Sequence, residues 1–328
     1  MKSLLLTGLL IMTSISTAHA EKTALVIHGG AGVMSRQSMS AETEAAYQSA
    51  LNKALDAGNA VLQKGGTARQ AVIASILVME DSPLFNAGKG AVFNAEGGHE
   101  LDASIMEGHT SKAGAVAGVR TIKNPILLAE AVMEHSPHVL LAGSGAEHFA
   151  DTRPEIARVE STYFDTEHRL KQLKQAQEDE RKTASTDLKG KYFGTVGAVA
   201  LDKSGHVAAG TSTGGMTNKR WSRIGDSPII GAGTYANEQC GVSGTGWGEF
   251  FIRAAVAHDI CARVKYRGDS ISVAAEEVLM NVVPKMGGDG GAIALDKDGN
   301  ISMPFNTEGM YRGWIKPDGS RGVAIFKD

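Results

Sequence analysis

The sequence predicts an α+β layered fold, and two observations carry that reading. Segments 197–215, GAVALDKSGHVAAGTSTGG, and 291–309, GAIALDKDGNISMPFNTEG, repeat one design: strand, D-K-x-G turn, strand, then a Thr-Gly segment. Turn residues of this kind suit tight antiparallel hairpins. Helical stretches at 248–264 and 270–283 lie between the two hairpins, and further helices precede the first. Helices and antiparallel hairpins in separate blocks stack as layers.

The elements follow in order. An apolar run at 23–27 ends in HGGAG and reads as a strand entering a glycine turn. Residues 40–64 have helical periodicity, with Ser40 as N-cap, Glu42 in the first turn and Gly65-Gly66 as the stop. Thr67 caps a second apolar helix through Met79. EDSPLFNAGKGAVFN, 80–94, is a loop marked by glycine and proline. Segment 100–122 alternates around a polar turn and reads as a hairpin. Asn124-Pro125 opens another helix, and Ser136-Pro137 a further one reaching about Ala150. Segment 166–192 is charged and lacks a core-facing apolar stripe, so it is a solvated helix or a flexible linker. The apolar pattern returns at Thr195.

Composition bounds the function. The chain has 328 residues, 42% hydrophobic and 21% charged, with a formal charge of −3, which is an ordinary globular balance. Without a basic stripe, nucleic acid is not expected as a partner. Residues 1–20 stand apart. Lys2 precedes an apolar run at 4–15, and Ala18-His19-Ala20 forms an A-x-A site. This reads as a secretory signal cut before Glu21, and it is shorter than the about 20 apolar residues of a membrane span. The expected location is the periplasm, with no membrane attachment after signal removal. Export permits a disulfide between Cys240 and Cys261, the only cysteines, but the expectation is two buried thiols. Two cysteines do not make a zinc cluster.

Several motif lookalikes lack their context. GTSTG at 210–214 fits a serine nucleophile elbow, yet helix breakers follow where the elbow needs a helix. HGGAG at 28–32 resembles an esterase oxyanion loop with no elbow to serve. GTGWGE at 244–249 has the wrong third spacing for dinucleotide binding. His135, His138 and His148 form no H-E-x-x-H pattern and read as solvated helix histidines.

The junction Gly194-Thr195 carries more. On its own it is an ordinary strand start. A threonine hydroxyl becomes a useful nucleophile only beside a base. Its own α-amine, with a reference pKa of about 7.7–8.0, can serve once the preceding peptide bond is cut. Glycine at 194 tolerates strained dihedrals and presents no side chain to block attack on its carbonyl. The charged segment upstream is free to leave. The neighbours strengthen this reading. TSTGG adds hydroxyls. SGTGWGE puts Thr245 and backbone N–H groups at a helix start, suited to an oxyanion. Arg223 and Asp226 lie three apart in RIGD. They are either a surface ion pair or a clamp, guanidinium to carboxylate and carboxylate to ammonium, for the α-end of an amino acid.

Taken together, ALVIHGGAG, SPLFNAGKGAVFN, HELDASIM, KAGAVAGV, GTVGAVALD, TSTGGMTNK, RIGDSP, GAGTYAN, SGTGWGE and PFNTEGMYRG resemble the plant-type asparaginase / isoaspartyl peptidase family of N-terminal-nucleophile hydrolases. The resemblance covers nearly the whole chain after residue 20. It implies a four-layer αββα sandwich, self-cleavage between Gly194 and Thr195, an α subunit over 21–194 and a β subunit over 195–328, and a dimer of such pairs. It implies Thr195 as nucleophile, Thr213 as its hydrogen-bonding partner, and Asn86 ordering the region. Arg223 and Asp226 would hold the substrate's α-carboxylate and α-amine, Thr245 and Gly246 would form the oxyanion site, and Gly248 would line the pocket. No cofactor is implied for catalysis. A structural sodium would take main-chain oxygens of Met79, Glu80, Ser82, Phe85, Ala87 and Lys89. The implied substrates are L-asparagine and β-aspartyl dipeptides. Trp247, and KRWSRIGD before the clamp, depart from the family pattern near the pocket rim. Glycosylasparaginase is the alternative; that branch typically has an acidic residue before the threonine, where this chain has Gly194.

Overall fold

The computed structural model describes residues 22–32, 34, 36, 37, 39–183 and 194–327. The expected signal at 1–20 and the later part of the charged segment, 184–192, lie outside the described residues. The strands are β1 (Ala24–Gly32), β2 (Leu101–Glu107), β3 (Ala113–Val119), β4 (Leu140–Ala142), β5 (Val196–Leu201), β6 (Val207–Thr213), β7 (Thr234–Ala236), β8 (Cys240–Gly246), β9 (Gly290–Asp296), β10 (Ile301–Ser302), β11 (Gly309–Ile315) and β12 (Arg321–Phe326). They form an eight-stranded sheet, β12-β11-β1-β5-β6-β2-β3-β4, and a four-stranded sheet, β10-β9-β8-β7. Only β3 and β4 pair in parallel among the described strands.

The helices are α1 (Ala41–Gln63), α2 (Ala68–Glu80), α3 (Pro125–His135), α4 (Gly143–Asp151), α5 (Glu167–Thr183), α6 (Gly248–Ala254), α7 (Val256–Ala262), α8 (Ile271–Glu277) and α9 (Val283–Lys285). Ser40 caps α1 by accepting from the Thr43 N–H. Thr67 and Gln70 form a reciprocal capping box on α2. The buried stripe of α1, Leu51, Leu55 and Leu62 among others, repeats at helical spacing.

Strand alternation then sorts the layers. Leu25 and Ile27 of β1 face outward and join the α1–α3 core. Their neighbours Ala24 and Val26 face inward and meet Val199, Val207, Ala209, Ile293 and Leu295 between the sheets. On the far side of the small sheet, Val242 packs with Phe251, Ile260 and Leu279 of the second helical layer. The result is the four-layer αββα sandwich. The two D-K-x-G hairpins belong to different sheets and stack face to face.

Five details differ from the sequence reading. HGGAG is not a turn: β1 runs through Gly32, with a register shift between His28 and Gly30 as it pairs with β11. Residues 140–142 form β4 beside β3, so the helix expected from Ser136 begins only at Gly143. The stretch 248–264 breaks at Ala255, which sits at φ 48° and separates α6 from α7. α5 is not wholly solvated, because Arg169 and Leu173 on it are buried. Cys240 and Cys261 form a disulfide joining β8 to α7. The thiol expectation missed this because residues 21 apart gave no sign that a strand end and a helix would meet.

Candidate active site

Thr195 immediately precedes β5, and β5 pairs antiparallel with β6 with Val196 opposite Ser212. That register places Thr213 beside Thr195. The Thr195 hydroxyl donates to Thr213 Oγ1 at 3.1 Å, and the Gly215 N–H donates to the same oxygen at 3.0 Å. Asn86 sits behind this turn. Its Nδ2 donates to the Gly215 carbonyl at 2.7 Å, its Oδ1 accepts from the Val92 N–H at 3.0 Å, and its carbonyl accepts from the Gly214 N–H. The 80–94 loop is thereby tied to TSTGG.

The junction itself is crowded. Gly194 has φ +62°, and Gly30 has φ +111°. A Cβ on Gly30 would lie 2.2 Å from Gly194 Cα. Only glycine at residue 30 allows the β1 backbone to approach Gly194 this closely. Just before it, burial takes the His28 imidazole down to about 3, with the Thr195 backbone pulling the other way. His28 is therefore a neutral strut, its Nε2 2.9 Å from Ser243 Oγ on β8. Further along β1, the Ala31 N–H donates to Thr245 Oγ1 at 3.1 Å. The Thr245 hydroxyl thus accepts from β1 and keeps its own proton for another acceptor.

The other end of the site holds charge. Arg223 Nε and Nη2 lie 2.8 Å from Glu249 Oε1 and Oε2. Burial opposes the Arg223 charge, but Glu249 outweighs it and raises the guanidinium pKa. Burial pushes the Asp226 carboxyl up to about 7, against the pull of Arg223. Asp226 Oδ2 is buried and accepts no hydrogen bond from the described residues. A Cβ on Gly248 would lie 2.7 Å from Asp226 Oδ1 and 2.8 Å from Arg223 Nη2, so a larger residue would intrude on both. Beneath them the buried Lys219 Nζ donates to the carbonyls of Glu100 and Arg223, each at 3.2 Å.

Gly194, Thr195, Thr213, Arg223, Asp226, Thr245 and Gly246 line one cavity of about 20 Å³. Gly248 abuts it, and Asn86 supports it from outside. The site therefore combines the Thr195 hydroxyl, the Thr213 hydroxyl beside it, the Arg223 cation and the Asp226 carboxylate.

The asparaginase family profile matches residues 21–325 of this chain. The chain belongs to the asparaginase family. Among relatives of this asparaginase-family chain, the isoaspartyl peptidase of Escherichia coli (strain K12) is 50% identical over 313 residues, covering 94% of this chain and 97% of its own. The putative isoaspartyl peptidase/L-asparaginase of Dictyostelium discoideum is 45% identical, covering 90% and 94%. The plant-type L-asparaginase of Pyrobaculum calidifontis is 41% identical, covering 90% and 97%.

The loop expected to hold sodium suits a hard cation. Gly88 at φ +50° curls the loop against the end of α2, where a Cβ would lie 2.4 Å from the Glu80 carbonyl oxygen. Among the described residues, the Phe85 and Ala87 carbonyls each accept one backbone hydrogen bond. A carbonyl has a second lone pair, so these oxygens retain the capacity to bind an ion. No cluster of three or more His, Cys, Asp or Glu residues suited to a metal occurs among the described residues.

Four residues of the asparaginase site had no role in the sequence reading: His28, Lys219, Ser243 and Glu249. Glu249 was visible as the acid in the first turn after GTGWG. Its partner was not, because Arg223 lies 26 residues upstream. Lys219 sat in a stretch that reads only as helix breakers, and His28 and Ser243 meet across two sheets.

Proposed function

We propose that this chain is a self-cleaving threonine hydrolase acting on β-aspartyl dipeptides and on the side-chain amide of L-asparagine. The observation that carries the reading is the single cavity joining the Thr195 hydroxyl to Arg223 and Asp226. The relatives, an isoaspartyl peptidase and two L-asparaginases by name, support the same substrates over glycosylasparagine.

Self-cleavage comes first. Thr195 Oγ1 attacks the Gly194 carbonyl, the acyl group moves from nitrogen to oxygen, and water hydrolyses the ester. The products are a Gly194 carboxylate and a free Thr195 amine. A cavity of about 20 Å³ admits little more than a water molecule. That supports an order of events in which the segment before Thr195 moves before substrate enters. The α subunit is then 21–194 and the β subunit 195–328, two such pairs assemble, and the protein works in the periplasm after losing residues 1–20.

Substrate turnover follows. Arg223 takes the α-carboxylate through N–H groups not used by Glu249, and ionised Asp226 takes the α-ammonium. The Thr195 amine accepts the proton of its own hydroxyl as Oγ1 attacks the β-carbonyl. The Thr245 hydroxyl and Gly246 N–H stabilise the oxyanion. The amine returns the proton to the leaving ammonia or amino acid, and water then releases aspartate from the Thr195 ester. Thr213 holds Oγ1 in line, and Asn86 holds the turn that carries Thr213. Sodium at the 79–89 main-chain oxygens would fix that loop and take no part in the chemistry.

One purified sample assayed on a β-aspartyl dipeptide, L-asparagine and glycosylasparagine tests the proposal. Aspartate is expected from the first two. Turnover of glycosylasparagine alone would overturn it.

A further inference from the structure

A second cavity, of about 240 Å³, also reaches Gly194. Its walls include Ser40, Tyr47, His168, Arg169 and Tyr311. Arg169 is the unusual member, since it is only 4% exposed. Its Nε donates to the Gly90 carbonyl at 2.8 Å, its Nη2 to the Leu84 carbonyl at 3.3 Å and its Nη1 to Gln172 Oε1 at 3.0 Å. All three partners are neutral, and among the described residues no carboxylate pairs with it. Buried charges are ordinarily paired, because desolvation is costly and an opposite charge offsets it. A guanidinium also carries more N–H donors than these three bonds use. Tyr47 stacks on Tyr311 with ring centroids 4.1 Å apart, and its hydroxyl donates to the same Leu84 carbonyl. The cavity thus offers a fixed, desolvated cation without its anion.

We propose that this cavity is a carboxylate-binding subsite beside the nucleophile, with Arg169 as the receiving cation. The inference rests on the hydrolase reading, under which two carboxylates arise close by. One is the Gly194 terminus freed by self-cleavage. The other is the α-carboxylate of the amino acid leaving a β-aspartyl dipeptide. Gly194 forms a wall of both cavities, so either group is delivered at the shared wall. L-Asparagine releases ammonia and has no such group, so the subsite separates the two substrate classes. Arg fits the task because its planar fork matches a carboxylate.

Two arms test this and distinguish the sources. The first compares kcat/KM for β-aspartyl-glycine and β-aspartyl-glycinamide in wild type, Arg169→Lys and Arg169→Met. The ratio within one protein is unaffected by loss of folded material. If the leaving amino acid is the ligand, wild type prefers the acid about tenfold, the scale of one charged hydrogen bond. Arg169→Lys keeps part of the preference, and Arg169→Met abolishes it. The second arm follows the melting temperature against acetate, with chloride at equal ionic strength as control, in uncleavable Thr195→Ala protein and in cleaved wild type. Acetate is expected to stabilise the uncut protein, and Arg169→Met in that background removes the response. If the Gly194 terminus is the ligand, the cleaved enzyme shows neither acetate response nor acid preference. The proposal is overturned if Arg169→Met changes neither the acid-to-amide ratio nor the acetate response. An Arg169-dependent acetate response in a protein without any hydrolysis would support the subsite and count against the hydrolase reading alone.

Discussion

The Arg223 guanidinium meets the Glu249 carboxylate through two parallel hydrogen bonds, Nε to Oε1 and Nη2 to Oε2, each of 2.8 Å. A fork-to-fork pair of this kind fixes the guanidinium plane as well as its position. In Glu249→Ala the guanidinium loses that alignment while Thr195, just before β5, is untouched. Steady-state kinetics on L-asparagine should show KM rising about tenfold with kcat changed by less than about threefold. A collapse of kcat at constant KM would place Glu249 in the chemistry instead.

The pH dependence has a defined sign. In the proposed clamp Asp226 binds an ammonium only when ionised, and in the free protein burial holds its pKa up to about 7. Affinity therefore falls as pH drops through about 7. The Thr195 amine must be neutral, so it too loses function on the acid side, near its reference range of about 7.7–8.0. kcat/KM, which reports the free enzyme, should show both groups and fall more steeply than one proton allows. kcat should show the amine alone, because bound ammonium keeps Asp226 ionised. Equal acid slopes for both parameters would contradict this assignment.

Gly30 and Gly194 touch where no side chain fits. Gly30→Ala puts a Cβ 2.2 Å from Gly194 Cα at φ +111°. Either the junction shifts or β1 does, and both displace the Gly194 carbonyl from Thr195 Oγ1. Self-cleavage, followed by gel electrophoresis over hours, should slow by at least about a hundredfold, the effect of misplacing reacting atoms by an ångström. Wild-type cleavage in a folded Gly30→Ala protein would remove Gly30 from the account.

The disulfide yields a stability prediction that leaves chemistry alone. Cys240 and Cys261 close a 21-residue separation. Replacing both by Ser should cost about 3 kcal/mol on the chain-entropy scale, seen as a lower urea midpoint. Activity below the transition should persist, because neither sulfur lines the cavity of Thr195.

What the sequence made legible was local. The Thr67 cap, the Gly65-Gly66 stop and the paired D-K-x-G turns are short-range signals, and each became the expected element. Thr195, Thr213, Arg223 and Asp226 lie in three short motifs, and one cavity collects them. What was hidden depends on distant partners. β1 continues through HGGAG because β11, almost 300 residues later, pairs with it. β4 exists because β3 offers an edge. Arg169 reads as one charge among many until the fold buries it. The disulfide, the Glu249 fork and the His28–Ser243 strut likewise join segments whose meeting no periodicity announces.

The central claim is that Thr195 becomes an N-terminus by its own action. The direct measurement is the intact mass of purified protein lacking residues 1–20, beside its Thr195→Ala variant. The account expects two wild-type fragments, the smaller beginning at Thr195, and a single uncut variant chain. An uncut wild-type chain that hydrolyses β-aspartyl substrates would contradict it, because the amine required as base would still be locked in a peptide bond.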